Sequence, residues 1–150
     1  MFDLVSKIAL VSVFGPITVA ADQTAIVIDR QGFESLTFAA AIGIGGITFD
    51  GSNYIEWTLE HSDDNVTYSN IALTDIIGKD IPTSIVTGQN GASVLKSFKA
   101  AQAAAAVFEY GYIGGKRWTR FDIEFTGTHG AGTPMCITAI KGSANIKPAN

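Results

Sequence analysis

Branched β-carbons set the terms for this chain: Ile, Val and Thr supply 41 of its 150 residues, and Leu only six. Such side chains fit the pleated, half-buried surface of a strand and are mildly disfavoured in helices. The 16 glycines fall largely between the β-rich runs, where turns are needed. Short runs punctuated in this way predict an all-β domain, a β-sandwich or jelly roll of about eight to ten short strands. No internal repeat and no domain boundary interrupts the pattern. Residues 23–150 read as a single sandwich domain, and residues 1–22 as an N-terminal arm or its first strands.

Individual strands follow from alternation. Residues 25–28 end at Asp29-Arg30-Gln31-Gly32, and residues 33–40 follow with Leu36 and Phe38 on one face. Residues 54–60 place Ile55, Trp57 and Leu59 on one side and Tyr54, Glu56, Thr58 and Glu60 on the other. Ser62-Asp63-Asp64-Asn65 predicts a turn, because these side chains bond their own backbone, and residues 66–71 resume the sheet. Residues 107–113 and 117–125 read as strands, the second opposing Phe121, Ile123 and Phe125 to Trp118, Arg120, Asp122 and Glu124. Residues 134–140 form the last strand. Residues 93–106 admit two readings: one short helix, capped by Ser93 and built on alanine, or a small-residue strand.

The N-terminus has the outline of a signal peptide, with Lys7, the apolar residues 8–14 and the small residues Val19-Ala20-Ala21. Asp3 before that run and Gly15-Pro16 within it count against cleavage. The apolar stretch is also shorter than the ~20 residues of a membrane-spanning helix. The segment is therefore read as a strand, a turn at Gly15-Pro16 and a second short strand. Its apolar residues Ile8, Leu10, Val11, Val13 and Phe14 are candidate contacts of an arm that lies on another subunit and adds a strand to its sheet edge.

Charge narrows the function. Ten Lys and Arg against 14 Asp and Glu leave a net charge of −4, and charged residues are 16% of the chain where about 25% is usual. With 47% hydrophobic residues, this is not the composition of a disordered chain. Nor does it supply the basic surplus that neutralises nucleic-acid phosphates. Low charge with apolar excess suits a surface partly covered by neighbours, which favours a subunit of an assembly.

Motifs for catalysis and cofactors fail at defined positions. Gly43-Ile44-Gly45-Gly46 lacks the third glycine of a dinucleotide fingerprint, where Thr48 stands. Gly115-Lys116 lacks the first glycine of a phosphate-binding loop, and Arg117 replaces its Ser/Thr. No Gly-x-Ser-x-Gly elbow is present. His61 with Asp63 and Asp64 could hold a weak cation or form a plain hydrogen-bonded turn, the commoner use of such clusters. Asn65-Val66-Thr67 matches a glycosylation acceptor, relevant only to a secreted eukaryotic protein. The single cysteine, Cys136, permits no intrachain disulfide, and its apolar setting predicts a buried, inert thiol. The expectation is a protein that is not an enzyme and uses no cofactor and no metal.

One cluster stands out: Tyr110, Tyr112, Lys116, Arg117, Trp118 and Arg120. It is a candidate interaction patch, since Trp, Tyr and Arg dominate interface hot spots. The structural alternative has Trp118 covering a sheet face while Arg120 pairs with Glu124 or a cross-strand acid.

The order of turn and strand motifs resembles a known family. Asp29-Arg30-Gln31-Gly32-Phe33-Glu34-Ser35-Leu36 precedes Leu59-Glu60-His61-Ser62-Asp63-Asp64, then Gly111-Tyr112-Ile113-Gly114-Gly115-Lys116-Arg117-Trp118 and a closing Thr138-Ala139-Ile140-Lys141-Gly142. Over residues 25–142 this is similar to small structural proteins encoded among the head genes of tailed bacteriophages and prophages. That family usually has Tyr where this chain has Trp118. The resemblance implies a virion component of the phage head, made in the host cytoplasm, and in particular a capsid decoration or cement protein. It implies the major capsid protein or other virion proteins as partners, with no nucleic acid and no membrane, and it carries no catalytic residues. A homo-oligomer is expected, a trimer at three-fold positions among its forms. A head–tail connector or tail protein is the alternative within this class. Outside it stand a carbohydrate-binding sandwich that stacks sugars on Trp57, Trp118 and Tyr112, and a hydrolase with a spatially assembled site.

Overall fold

The structure is a computed structural model that describes residues 4–145. Its strands are β1 (Ile8–Val19), β2 (Ile26–Asp29), β3 (Phe33–Ile42), β4 (Tyr54–Ser62), β5 (Ser69–Asn70), β6 (Ile76–Ile77), β7 (Ser93–Phe98), β8 (Ala106–Tyr112), β9 (Trp118–Thr126) and β10 (Thr133–Ala144). Among the described residues, helical geometry is confined to two single 3-10 turns, Val5–Lys7 and Leu73–Asp75.

The strands form two antiparallel sheets. The first runs β1-β10-β3-β8-β6. The second runs β2-β9-β4, and β5 and β7 share the far side of β4. Apart from β5, each strand lies in the opposite sheet from its predecessor. Without the two-residue strands β5 and β6, the order β1-β10-β3-β8 faces β2-β9-β4-β7, which is the double Greek key of a jelly roll. The all-β sandwich expected from the sequence is the observed fold.

The core lies between the sheets and is aromatic. Trp57 meets Phe98 edge-on at 4.8 Å between ring centroids and Phe108 at 5.7 Å, and Phe38 packs on Phe121 at 5.1 Å. Trp57, Phe38, Phe121, Ile55, Leu59 and Ile123 are fully buried, each side chain of this kind contributing about 1.5–3 kcal/mol. The alternation of β9 places Phe121 and Ile123 inward and Trp118, Arg120 and Asp122 outward, as its sequence predicts.

Several expectations are corrected. Residues 93–106 contain no helix: 93–98 form β7 and 99–105 are irregular. The alanines would give a helix too little apolar area to bury, whereas β7 pairs along β4 and buries Val94, Leu95 and Phe98. The N-terminal apolar segment is one strand, not two strands and a turn. Gly15 and Pro16 sit at shifts in register against β10, between Phe14 and Ile17. An edge strand tolerates them, because a proline there faces no ladder partner on its open side. Nor is this segment a free arm. β1 pairs with β10 of the same chain, and of the five candidate contacts Val13 and Phe14 lie in the core, Ile8 and Val11 are half-buried and Leu10 is exposed. The expected strand over 66–71 shrinks to β5. β4 is buried on both faces, because the turn around Gly88 covers its outer side: Asn90 donates to Thr58 Oγ1 and Gln89 to the Tyr54 hydroxyl.

Candidate functional site

The aromatic–basic cluster is split by the fold. Tyr110 and Tyr112 leave β8 on the inner side of the first sheet and are fully buried, so neither belongs to a surface patch. The turn at Gly114-Gly115 then carries the chain to the second sheet, where Trp118 and Arg120 face outward. Tyr112 is held from three sides. Arg30 lies over its ring at 4.8 Å, its hydroxyl accepts the Lys116 N–H at 3.4 Å, and His61 Nδ1 stands 2.8 Å away. An accepting hydroxyl keeps its own proton for His61, which matches an imidazole held neutral. Burial, and then Lys116, pushes the His61 pKa below its ordinary value. Burial likewise raises the Tyr112 pKa.

The outward members of the cluster are paired rather than free. Arg117 donates from Nε and Nη2 to the two oxygens of Asp29 at 2.8 and 2.7 Å and stacks over Trp118 at 4.1 Å. That fork holds the Asp29 carboxyl below the usual range. Arg120 pairs with Glu60, its cross-strand neighbour, and lies over Tyr68 at 4.2 Å. Lys116 donates to Ser69 Oγ at 2.8 Å. Of the proposed sugar platforms, Trp57 and Tyr112 are buried, and Trp118 is half-buried on the outer face.

Farther along the same face, Glu56 lies directly opposite Glu124, and Asp122 is two residues away on β9. Ser97 donates to Glu56 at 2.6 Å, Lys99 stands 3.3 Å from it, and Asn90 donates to Glu124 at 2.8 Å. Burial, and then the charge and hydrogen bond of Glu124, push the Asp122 pKa up to about 7. The Ser62–Asn65 segment is a hydrogen-bonded turn. Asp64 Oδ1 accepts from the Ser62 hydroxyl and the Val66 and Thr67 N–H groups at 2.8 Å, which lowers its pKa to about 2. His61 points away from it, into the sandwich. Among the described residues no group of three His, Cys, Asp or Glu side chains is placed to hold a metal ion.

The other outer face has the opposite character. On β3 the even-numbered residues 36–42 are buried and on β10 the odd-numbered residues 133–139, which turns Thr37, Ala39, Ala41, Pro134, Cys136, Thr138 and Ile140 outward. Register aligns them into cross-strand rows: Leu10–Ile140–Thr37–Gly111–Ile77, Ser12–Thr138–Ala39–Glu109 and Cys136–Ala41–Val107. Glu109 is the single charged side chain in these rows. Leu10, Ile77 and Val107 are more than half exposed. At one end the face dips into an apolar groove of about 420 Å³ lined by Pro16, Ile17, Ala41, Val107, Pro134 and Cys136. Cys136 is thus half-buried on an outer surface and not in the core.

Residue-type motifs do not reveal this face, because it is defined by what is missing. Its signal is three runs without a charged residue, 8–21, 35–49 and 130–140, which supply β1, β3 and much of β10, three adjacent strands.

No protein-family model matches the chain, and no curated protein matches it. Among solved structures, the crystal structure of SPBc2 prophage-derived protein YomS is similar at a TM-score of 0.43, with 13% identity over 91% of this chain and 93% of that one. At that distance the likeness bears on neither mechanism nor partner.

Proposed function

We propose that this chain is a non-enzymatic structural protein of a phage particle, a decoration or cement subunit that stabilises the head shell by bridging capsid proteins. The observation that carries this reading is the outer face of the first sheet, whose cross-strand rows hold one charged side chain, Glu109. A soluble monomer rarely leaves a flat surface of this kind with so little charge, and burial in an assembly accounts for it. The resemblance of the turn motifs to phage head proteins supplies the kind of assembly. Cementing needs no reactive group. It needs a rigid body offering many modest contacts, which symmetry multiplies over a shell. A jelly roll whose two sheets close on an aromatic core is such a body.

The test is to mix the purified protein with empty heads assembled without it and to follow co-sedimentation and the temperature of head disruption. Saturable binding with a raised disruption temperature is expected. A closed ring that ignores the shell would replace this reading with a connector or tail role, and a monomer indifferent to heads would remove the assembly argument.

A further inference from the structure

We propose that the outer face of the first sheet is a self-association surface, on which a second copy of this chain packs face to face. The inference rests on the reading that this face is buried in an assembly, and it names the first occupant.

Three features favour a second copy. The first is charge. A two-fold contact lays a patch on its own duplicate, so the patch must tolerate itself. A strongly charged face does not, and this one carries Glu109 alone, on the flanking strand β8 rather than at the centre. A basic or acidic partner would find no complementary charge here. The second is relief. Ala39, Ala41, Thr37 and Thr138 are short, so two such sheets can approach to the ~10 Å at which sheets pack face to face. The third is area. Four strands about 4.8 Å apart, each presenting about nine residues at ~3.3 Å, span roughly 600 Å² per copy, or ~1,200 Å² in all. That reaches the lower bound of stable interfaces, about 1,200 Å².

Cys136 reports on the face directly, being the sole cysteine of the chain and lying within it. The experiment measures sedimentation velocity and the rate of Cys136 labelling by a thiol reagent from ~1 to ~100 µM protein, the range that brackets a micromolar dissociation constant. The expected result is a monomer–dimer equilibrium in which labelling slows about five- to ten-fold at the upper concentration, as the free fraction falls. Thr138→Lys and Ala39→Glu should each hold the chain monomeric and restore fast labelling, with circular dichroism unchanged. Val27→Lys, on the opposite sheet, should leave the dimer intact. Should either variant fail to fold, the concentration dependence of labelling in the unmodified protein still decides the matter.

A monomer throughout, or any oligomer, a trimer included, that leaves Cys136 as reactive as in the monomer, would overturn the proposal. If the free protein is monomeric and Cys136 becomes protected only on phage heads, the face belongs to the shell. The decoration reading then stands and self-association falls. A dimer that protects Cys136 but binds no heads would sustain self-association and remove the decoration reading.

Discussion

Replacing Asp122 with Asn removes a carboxyl that the fold holds away from its preferred charge. Its pKa is pushed up to about 7 from an ordinary 3.8, first by burial on the outer face of β9 and then by Glu124. Arg120, two residues the other way, pulls in the opposite direction but weighs less. Because the folded pKa is the higher one, the folded state binds this proton more tightly than the unfolded chain does. The resulting stability is fully present below pH ~4 and is lost as pH rises to ~7. Three units at 1.36 kcal/mol each would be about 4 kcal/mol, but solvent reaches the carboxyl, and screening reduces the effect to about 1–2 kcal/mol. Asn keeps the carbonyl oxygen that accepts the Ile123 N–H and cannot ionise. Asp122→Asn should therefore match the parent near pH 4 and exceed it by about 1–2 kcal/mol at pH 8, roughly 3–6 °C in Tm for a chain of this size. Thermal melts followed by circular dichroism at pH 4, 5, 6, 7 and 8 measure the difference directly. A variant that gains nothing between pH 4 and 8 would falsify the assignment of a strained, partly buried carboxylate.

Three further outcomes follow from the geometry. Gly46→Ala places a Cβ 1.9 Å from the Gly132 carbonyl oxygen, which backbone cannot yield cheaply, so a loss of about 1–3 kcal/mol in urea unfolding is expected, against no loss for Gly51→Ala, which meets nothing. Tyr112→Phe leaves His61 Nδ1 without its partner inside the sandwich and should cost about 1–3 kcal/mol, with no change in secondary structure by far-ultraviolet circular dichroism. Arg117→Gln removes the fork on Asp29, whose pKa should rise toward the ordinary carboxylate value in an NMR titration, while Lys116→Gln should leave it in place.

Strands with strict alternation are legible in the sequence. In β9 Phe121, Ile123 and Phe125 alternate with polar residues, and the fold buries the first two fully and Phe125 in part. β4 is legible in part: Ile55, Trp57 and Leu59 point inward as their spacing says, but Glu56 and Thr58 are buried too. Gly88-Gln89-Asn90-Gly91 reads as a turn, but no local pattern announces that it folds over β4, because the contact is made across more than 25 residues. Alanine propensity misleads at 93–106, since the edge of β4 is a stronger claim on residues 93–98 than any helix they could form alone. The aromatic–basic cluster misleads for a different reason. Its members are neighbours along the chain, and a jelly roll sends consecutive strands to opposite sheets. Sequence proximity is therefore poor evidence of a shared surface here, and the nearly uncharged face is assembled from three runs that lie far apart in the chain.

The order β1-β10-β3 also governs when that face can exist. The last strand is the middle piece: until residues 133–144 have been synthesised, β1 and β3 have no common neighbour and the first sheet is two fragments. Pairing the ends of a chain is slow, because the closure of a long loop precedes any reward from contacts. The early strands therefore wait on the ribosome with their edges open, the period in which a β protein is most prone to wrong pairing. The outer face of the first sheet, however, cannot form during that wait. Any contact made through that face is therefore deferred until residues 133–144 are in place between β1 and β3.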